Sequence, residues 1–93
     1  MIHIKEEHNI IHLKGNLKPK HLTKLKEILN KKHNEHIILF LHNSVSISSS
    51  IIMFLQKYSK QHNNLQIKIK DKKLFDLLKE VGFEKYVRIY YIK

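Results

Sequence analysis

The sequence predicts a single α/β domain in which a mixed β-sheet, in the order ββαβαβαβ, carries its helices mainly on one face. Three observations lead there. Ile37-Ile38-Leu39-Phe40-Leu41 is a continuous apolar run of strand length, and it feeds a helical pattern through the hydroxyl-rich stretch from His42 to Ser50. Leu65 to Lys70 alternates apolar and polar residues and again leads into a helical pattern, so strands and helices alternate through the second half of the chain. Residues 1–93 fit one core, because a half-length chain would bury too little apolar surface to offset the entropy of ordering it.

Taken in order, Ile2 to Lys5 and Ile10 to Leu13 are short β-branched runs split by Glu6-Glu7-His8-Asn9, which predicts two strands joined by a turn. Lys14-Gly15-Asn16 ends the second strand. Pro19 suits the first turn of a helix, where its missing N–H costs nothing, and Leu22, Leu25, Ile28 and Leu29 follow on one helical face to about Lys32. The unbroken run Ile37 to Leu41 predicts a central strand buried on both faces. After the serine-rich loop, Ile51, Phe54, Leu55 and Tyr58 fall at helical spacing. The alternating strand Leu65 to Lys70 has one face on the core and one in water, and is expected near an edge. Asp71 can cap a third helix carrying Leu74, Leu77, Leu78 and Val81, and Gly82 stands where a left-handed C-terminal cap belongs. Phe83 can pack back on Leu78, and Val87 to Ile92 supplies a last strand. Parallel strands joined through helices require right-handed crossovers, and no long structureless loop is needed.

Composition narrows the function classes. With 42% hydrophobic and 28% charged residues the chain is expected to fold. It lacks an apolar run of the roughly 20 residues that span a bilayer, and the start Met1-Ile2-His3-Ile4-Lys5-Glu6-Glu7 lacks a signal peptide's apolar stretch, so a cytoplasmic protein without membrane insertion is expected. The absence of cysteine excludes disulfides, thiol nucleophiles and thiolate metal sites. A formal charge of +10 raises a second reading, a small basic nucleic-acid-binding domain. Against it, Arg88 is the only arginine, although arginine is what bidentate base and phosphate recognition favours, and the lysines are spread along the chain onto predicted polar faces. AT-rich codons alone could produce such a Lys-, Ile- and Asn-rich chain.

The element order and three local patterns resemble the STAS domains (sulfate transporter and anti-sigma factor antagonist). Ile37-Ile38-Leu39-Phe40-Leu41 resembles the family's buried strand of the type V-V-L-D-L. Ile47-Ser48-Ser49-Ser50-Ile51-Ile52 falls where the family has I-D-S-S-G-L, and Leu74 to Phe83 resembles its V-x-x-x-L-x-x-x-G-L segment. The resemblance implies a non-enzymatic regulatory module that binds protein through the loop holding Asn43, Ser44, Ser46, Ser48, Ser49 and Ser50 and through the first half of the next helix. Its implied partner is an anti-sigma factor or related serine kinase, or else the ATPase subunit of a lipid-transport ABC system that such a protein serves as an accessory subunit. By position, Ser49 corresponds to the serine that a partner kinase phosphorylates in the anti-sigma antagonists. Ser48 replaces the motif's Asp, Ile51 its Gly, and Phe40 stands where an acidic strand residue is common; the chain reaches Lys93 without the family's usual C-terminal helix. With Asp and Gly replaced, helix capping by a hydroxyl of Ser48, Ser49 or Ser50 is the preferred role of these serines.

No constellation for catalysis is visible. There is no G-x-S-x-G elbow, Asp71 and Asp76 are the only aspartates, and Gly15 and Gly82, the only glycines, build no phosphate loop. His3, His8, His12, His33 and His36 lack any helical metal-ligand spacing, so no metal or other cofactor is expected. Tyr86, Tyr90 and Tyr91, beside Lys85 and Arg88, invite comparison with a base-stacking platform. A strand, however, turns Tyr90 and Tyr91 to opposite faces, and finishing the core is the expected task of this segment.

Overall fold

The computed structural model describes residues 2–32, 34–42 and 46–93. Strands β1 (His3–Glu7) and β2 (Ile10–Lys14) form an antiparallel hairpin. A 3₁₀ turn (Pro19–His21) leads into α1 (Leu22–Lys31), followed by β3 (Ile37–Leu41), α2 (Ser49–His62), β4 (Leu65–Ile69), α3 (Lys72–Glu80), a second 3₁₀ turn (Phe83–Lys85) and β5 (Arg88–Tyr91). From β2 onward every strand pair is parallel, and the order across the sheet is the order along the chain. Each crossover therefore steps the same way, and right-handed crossovers put all three helices on one face. The expected α/β class and one-sided helix layer are what the chain adopts.

The core lies between that face and the helices. Ile11 and Leu13 of β2, Ile37, Leu39 and Leu41 of β3, and Leu65, Ile67 and Ile69 of β4 are buried there. Leu25, Ile28 and Leu29 of α1, Ile51, Leu55 and Tyr58 of α2, and Leu74 and Leu78 of α3 meet them from the other layer. Fully burying one such aliphatic side chain is worth about 2 kcal/mol. The Tyr58 hydroxyl donates to the Leu29 carbonyl at 3.2 Å and so ties α2 to α1. Burial also pushes the phenol above its ordinary pKa, which keeps that donor protonated.

Local signals account for the helix ends. The Asp71 carboxylate accepts from the N–H of Lys73 (2.9 Å) and of Leu74 (3.2 Å) at the start of α3. Gly82, at φ 75°, turns the chain out of α3 so that Phe83 drops into the core. A Cβ at Gly82 would meet nothing closer than 3.8 Å, so what the glycine supplies there is the left-handed backbone and not space.

β4 lies one strand in from the sheet edge, near an edge as expected, and its alternation marks a sheet with one uncovered face. Other expectations are corrected. β3 is central, yet it is not covered on both sides: Ile38 and Phe40 are only half-buried on the face away from the helices. Phe40 and Ile38 kept the run unbroken without being core residues. Leu77 and Val81 of the third helical pattern are 50% and 56% exposed, because α3 covers the sheet margin and turns only Leu74 and Leu78 inward.

Candidate protein-binding site

The approach to α2 is pinned to the segment before α1. Leu17 and Ile47 form an isolated parallel bridge, in which the Leu17 N–H donates to the Ser46 carbonyl (2.7 Å) and the Ser48 N–H to the Leu17 carbonyl (2.9 Å). The Asn16 side-chain oxygen accepts from the Ser46 N–H at 3.2 Å. Ser48, extended at φ −69° and ψ 156°, is the N-cap, and its carbonyl accepts from the N–H groups of Ile51 and Ile52 at 3.1 Å each. Its hydroxyl makes no capping bond and lies 3.1 Å from the Ser50 hydroxyl instead. The expected hydroxyl cap is thus not formed; the pair of serines satisfies itself. Ser49 is the first helical residue and is exposed, at the end of α2 where backbone N–H groups have no intrahelical acceptor.

Beside this N-terminus runs a shallow groove between α1 and α2, about 280 Å³ in volume and lined by Leu22, Lys26, Ser50, Met53, Phe54 and Lys57. Met53 is 59% exposed, the most exposed large apolar side chain of the described residues. Phe54 and Leu22 are half-buried and pack against the rim of the core, and the Lys26 Nζ sits 5.7 Å from the Phe54 ring centre. An apolar strip rimmed by lysines is therefore continuous with the serine-bearing start of the helix. This surface can bury a partner's apolar side chain and offers no acid–base pair.

No protein-family model matches the sequence, and no curated protein matches it significantly. Among solved structures, an anti-sigma factor antagonist from Mycobacterium paratuberculosis superposes with a TM-score of 0.64, covering 97% of this chain and 84% of that one at 9% sequence identity. At that identity the likeness is one of fold. The chain has the STAS fold. The superposition spans β1 to β5, so the resemblance seen in the Ile37–Leu41, Ile47–Ile52 and Leu74–Phe83 segments extends to the whole architecture.

On this STAS fold the sequence-derived site residues separate into two groups. Asn43 and Ser44 lie outside the described residues, as does His33 among the histidines. Ser46 and Ser49 are exposed, while Ser48 and Ser50 are half-buried, and all four stand at or just before the N-terminus of α2. Reading the sequence placed Leu22 and Phe54 in the core and passed over Met53 and Lys57. Met53 was discoverable, since it is an apolar residue off the buried stripe of Ile51, Leu55 and Tyr58.

Two of the histidines come together. His12 Nδ1 and His42 Nε2 are 3.0 Å apart on the helix-free face, and His12 Nε2 is 3.5 Å from a Glu7 carboxylate oxygen. Desolvation and the neighbouring His12, Lys14 and Lys70 hold His42 below the usual imidazole range. Neutral His42 can then accept the His12 Nδ1–H. Among the described residues no group of three His, Cys, Asp or Glu side chains is placed to hold a metal ion, and no helix is long and apolar enough to cross a membrane.

Proposed function

We propose that this domain is a non-enzymatic regulator of the anti-sigma factor antagonist type, binding a protein partner in the cytoplasm through the loop before α2 and the first half of that helix. The observation that carries the reading is the exposed Met53 in the Leu22–Phe54 groove, directly beside the accessible Ser49. Exposed Met and aromatic side chains are the anchors that interfaces bury, and the lysine rim would favour an acidic margin on the partner. The structural likeness to an anti-sigma factor antagonist supports an anti-sigma factor or related serine kinase as the partner class.

Ser49 is where such a partner would act. Phosphate there would add a charge of about −1.5 to −2 at a helix N-terminus, which tolerates it, while altering the surface the partner meets. The test is affinity purification from the native cell followed by binding measurements with the recovered partner. Met53→Glu is expected to weaken that complex at least about tenfold, as removal of an interface anchor does, with an unchanged melting temperature. Ser49→Asp should weaken it too, while Ser49→Ala should not. Recovery of an ABC-system ATPase subunit would move the partner to that class while keeping the surface. Unchanged binding by Met53→Glu would remove the proposed surface altogether.

A further inference from the structure

The face of the sheet opposite the helices is not an ordinary solvated surface. Register places Lys5, His12, Phe40, Lys68 and Tyr90 in one row across all five strands. Beside that row stand Lys14, His42 and Lys70, and Arg88 pairs with Gln66 at its other margin. Of the eight acidic residues in the chain, Glu7 alone is on this face, and it is paired with Lys5 at 3.1 Å. Glu6 turns to the helix side, and the rest lie on α1, on α3 with its cap, or on connecting segments. Lys14, Lys68, Lys70 and Arg88 make no ion pair among the described residues.

Rings stand among these cations. The Phe40 ring centre is 4.6 Å from His42 and 5.6 Å from His12, with interplanar angles of 28° and 31°, and the Lys70 Nζ is 5.9 Å from Phe40. Tyr90 is 45% exposed two strands away. Tyr91 turns to the other side and packs against Phe75, while Tyr86 lies under Lys60 near α2, so only Tyr90 of the C-terminal tyrosines belongs here. A shallow depression lined by His3, Ile4, Lys5, Glu7, His12, Lys14 and His42 continues the surface to the sheet margin, with Glu7 its one acid.

From this arrangement we infer that the helix-free face binds single-stranded nucleic acid, the lysines and Arg88 neutralising phosphates while Phe40, Tyr90 and the paired histidines stack with bases. The charge segregation names a polyanion, and the half-buried rings within the basic field name one with flat groups to stack. An anionic membrane would call for apolar side chains projecting beyond the cations, and the ring cluster is recessed among its neighbours. An acidic peptide would use the lysines and leave Phe40 and Tyr90 idle. The surface lies across the sheet from Met53, so this inference and the protein-binding reading stand or fall on different substitutions.

The test is a titration of the whole chain with labelled oligouridylate and oligothymidylate by fluorescence anisotropy, at salt from about 50 to 200 mM. Binding is expected to favour single strands over a duplex of the same length. Phe40→Leu and Tyr90→Leu should each weaken it about tenfold, the effect of removing one ring from beneath a base. Lys68→Gln with Lys70→Gln should flatten the plot of log K against log salt by about 0.7 for each phosphate no longer neutralised. Circular dichroism melts of the same proteins show whether the fold is kept; if Phe40→Leu unfolds, the exposed Tyr90→Leu carries the ring test. The inference is overturned if Lys24→Gln with Lys31→Gln on α1 has the same effect as the sheet pair, if duplex binds as well as single strands, or if neither ring variant weakens binding. It is also overturned if phosphatidylserine vesicles or polyglutamate bind more tightly through the same residues.

Discussion

The two faces of the sheet are built from alternate residues of the same strands and have opposite characters. Along β3, Leu39 is fully buried under the helices, while its neighbour Phe40 is half-exposed among His12, His42 and Lys70. Along β4, Ile67 is buried and Lys68 is not. The difference shows that a parallel sheet whose strands add in chain order gathers all its crossovers on one side. The other side is then free to carry charge, because its backbone polar groups are already paired within the sheet.

The largest test of that contrast compares neighbours on β3. Leu39→Ala should cost about 3 kcal/mol, from lost transfer energy and a cavity that the helices cannot collapse into. Phe40→Ala should cost no more than about half as much by urea denaturation, since part of its ring already meets water. Equal losses would mean that the helix-free face is covered in solution.

A smaller effect sharpens the description of the covered side. Asp71→Ala removes two capping bonds from α3 and should cost about 1 kcal/mol. Ser48→Ala, at the N-cap of α2, removes only a bond between two hydroxyls and should stay within about 0.5 kcal/mol in the same melts. A full capping loss at Ser48 would show that its hydroxyl turns to the helix in solution.

The smallest effect belongs to the helix-free face and appears as pH dependence. His42 is held below its unfolded pKa of about 6.5, so the fold favours its neutral ring. That contribution is present above the unfolded value and is lost as pH falls through it toward the lower folded value. Lys14, Lys70 and His12 oppose the added charge; Glu7 is the one acid nearby and is itself held low by Lys5 and His12. Stability should therefore fall modestly on acidification from neutral pH, and His42→Gln should flatten that part of the profile. A steeper profile in the variant would mean that protonated His42 is the form the fold prefers.

Much of the site was legible because its signals are local. The serine run before Ile51 marks the start of a helix wherever it is folded, and Asp71 and Gly82 mark the ends of α3 by their own backbone and side-chain chemistry. Met53 stands out in the sequence as an apolar residue off the helical stripe, but that it belongs to a groove shows only when Leu22 and Lys26 of another helix are seen beside it. The basic sheet face was missed for a related reason. Lys5, Lys14, Lys68 and Arg88 belong to four strands distributed from one end of the chain to the other, with Lys70 directly after the third of them, and read along the chain they look evenly spread.

Element types, their order and the helix caps were determined by the sequence itself, because hydrophobic period and capping chemistry act within a few residues. Only the tertiary structure decided that β4 is interior, that β3 is covered on one side, that the Ser48 hydroxyl turns to Ser50, and that one acid and five cations share a face. Those outcomes depend on register between strands distant in sequence and on the common hand of three crossovers, and neither is written in any local window of residues.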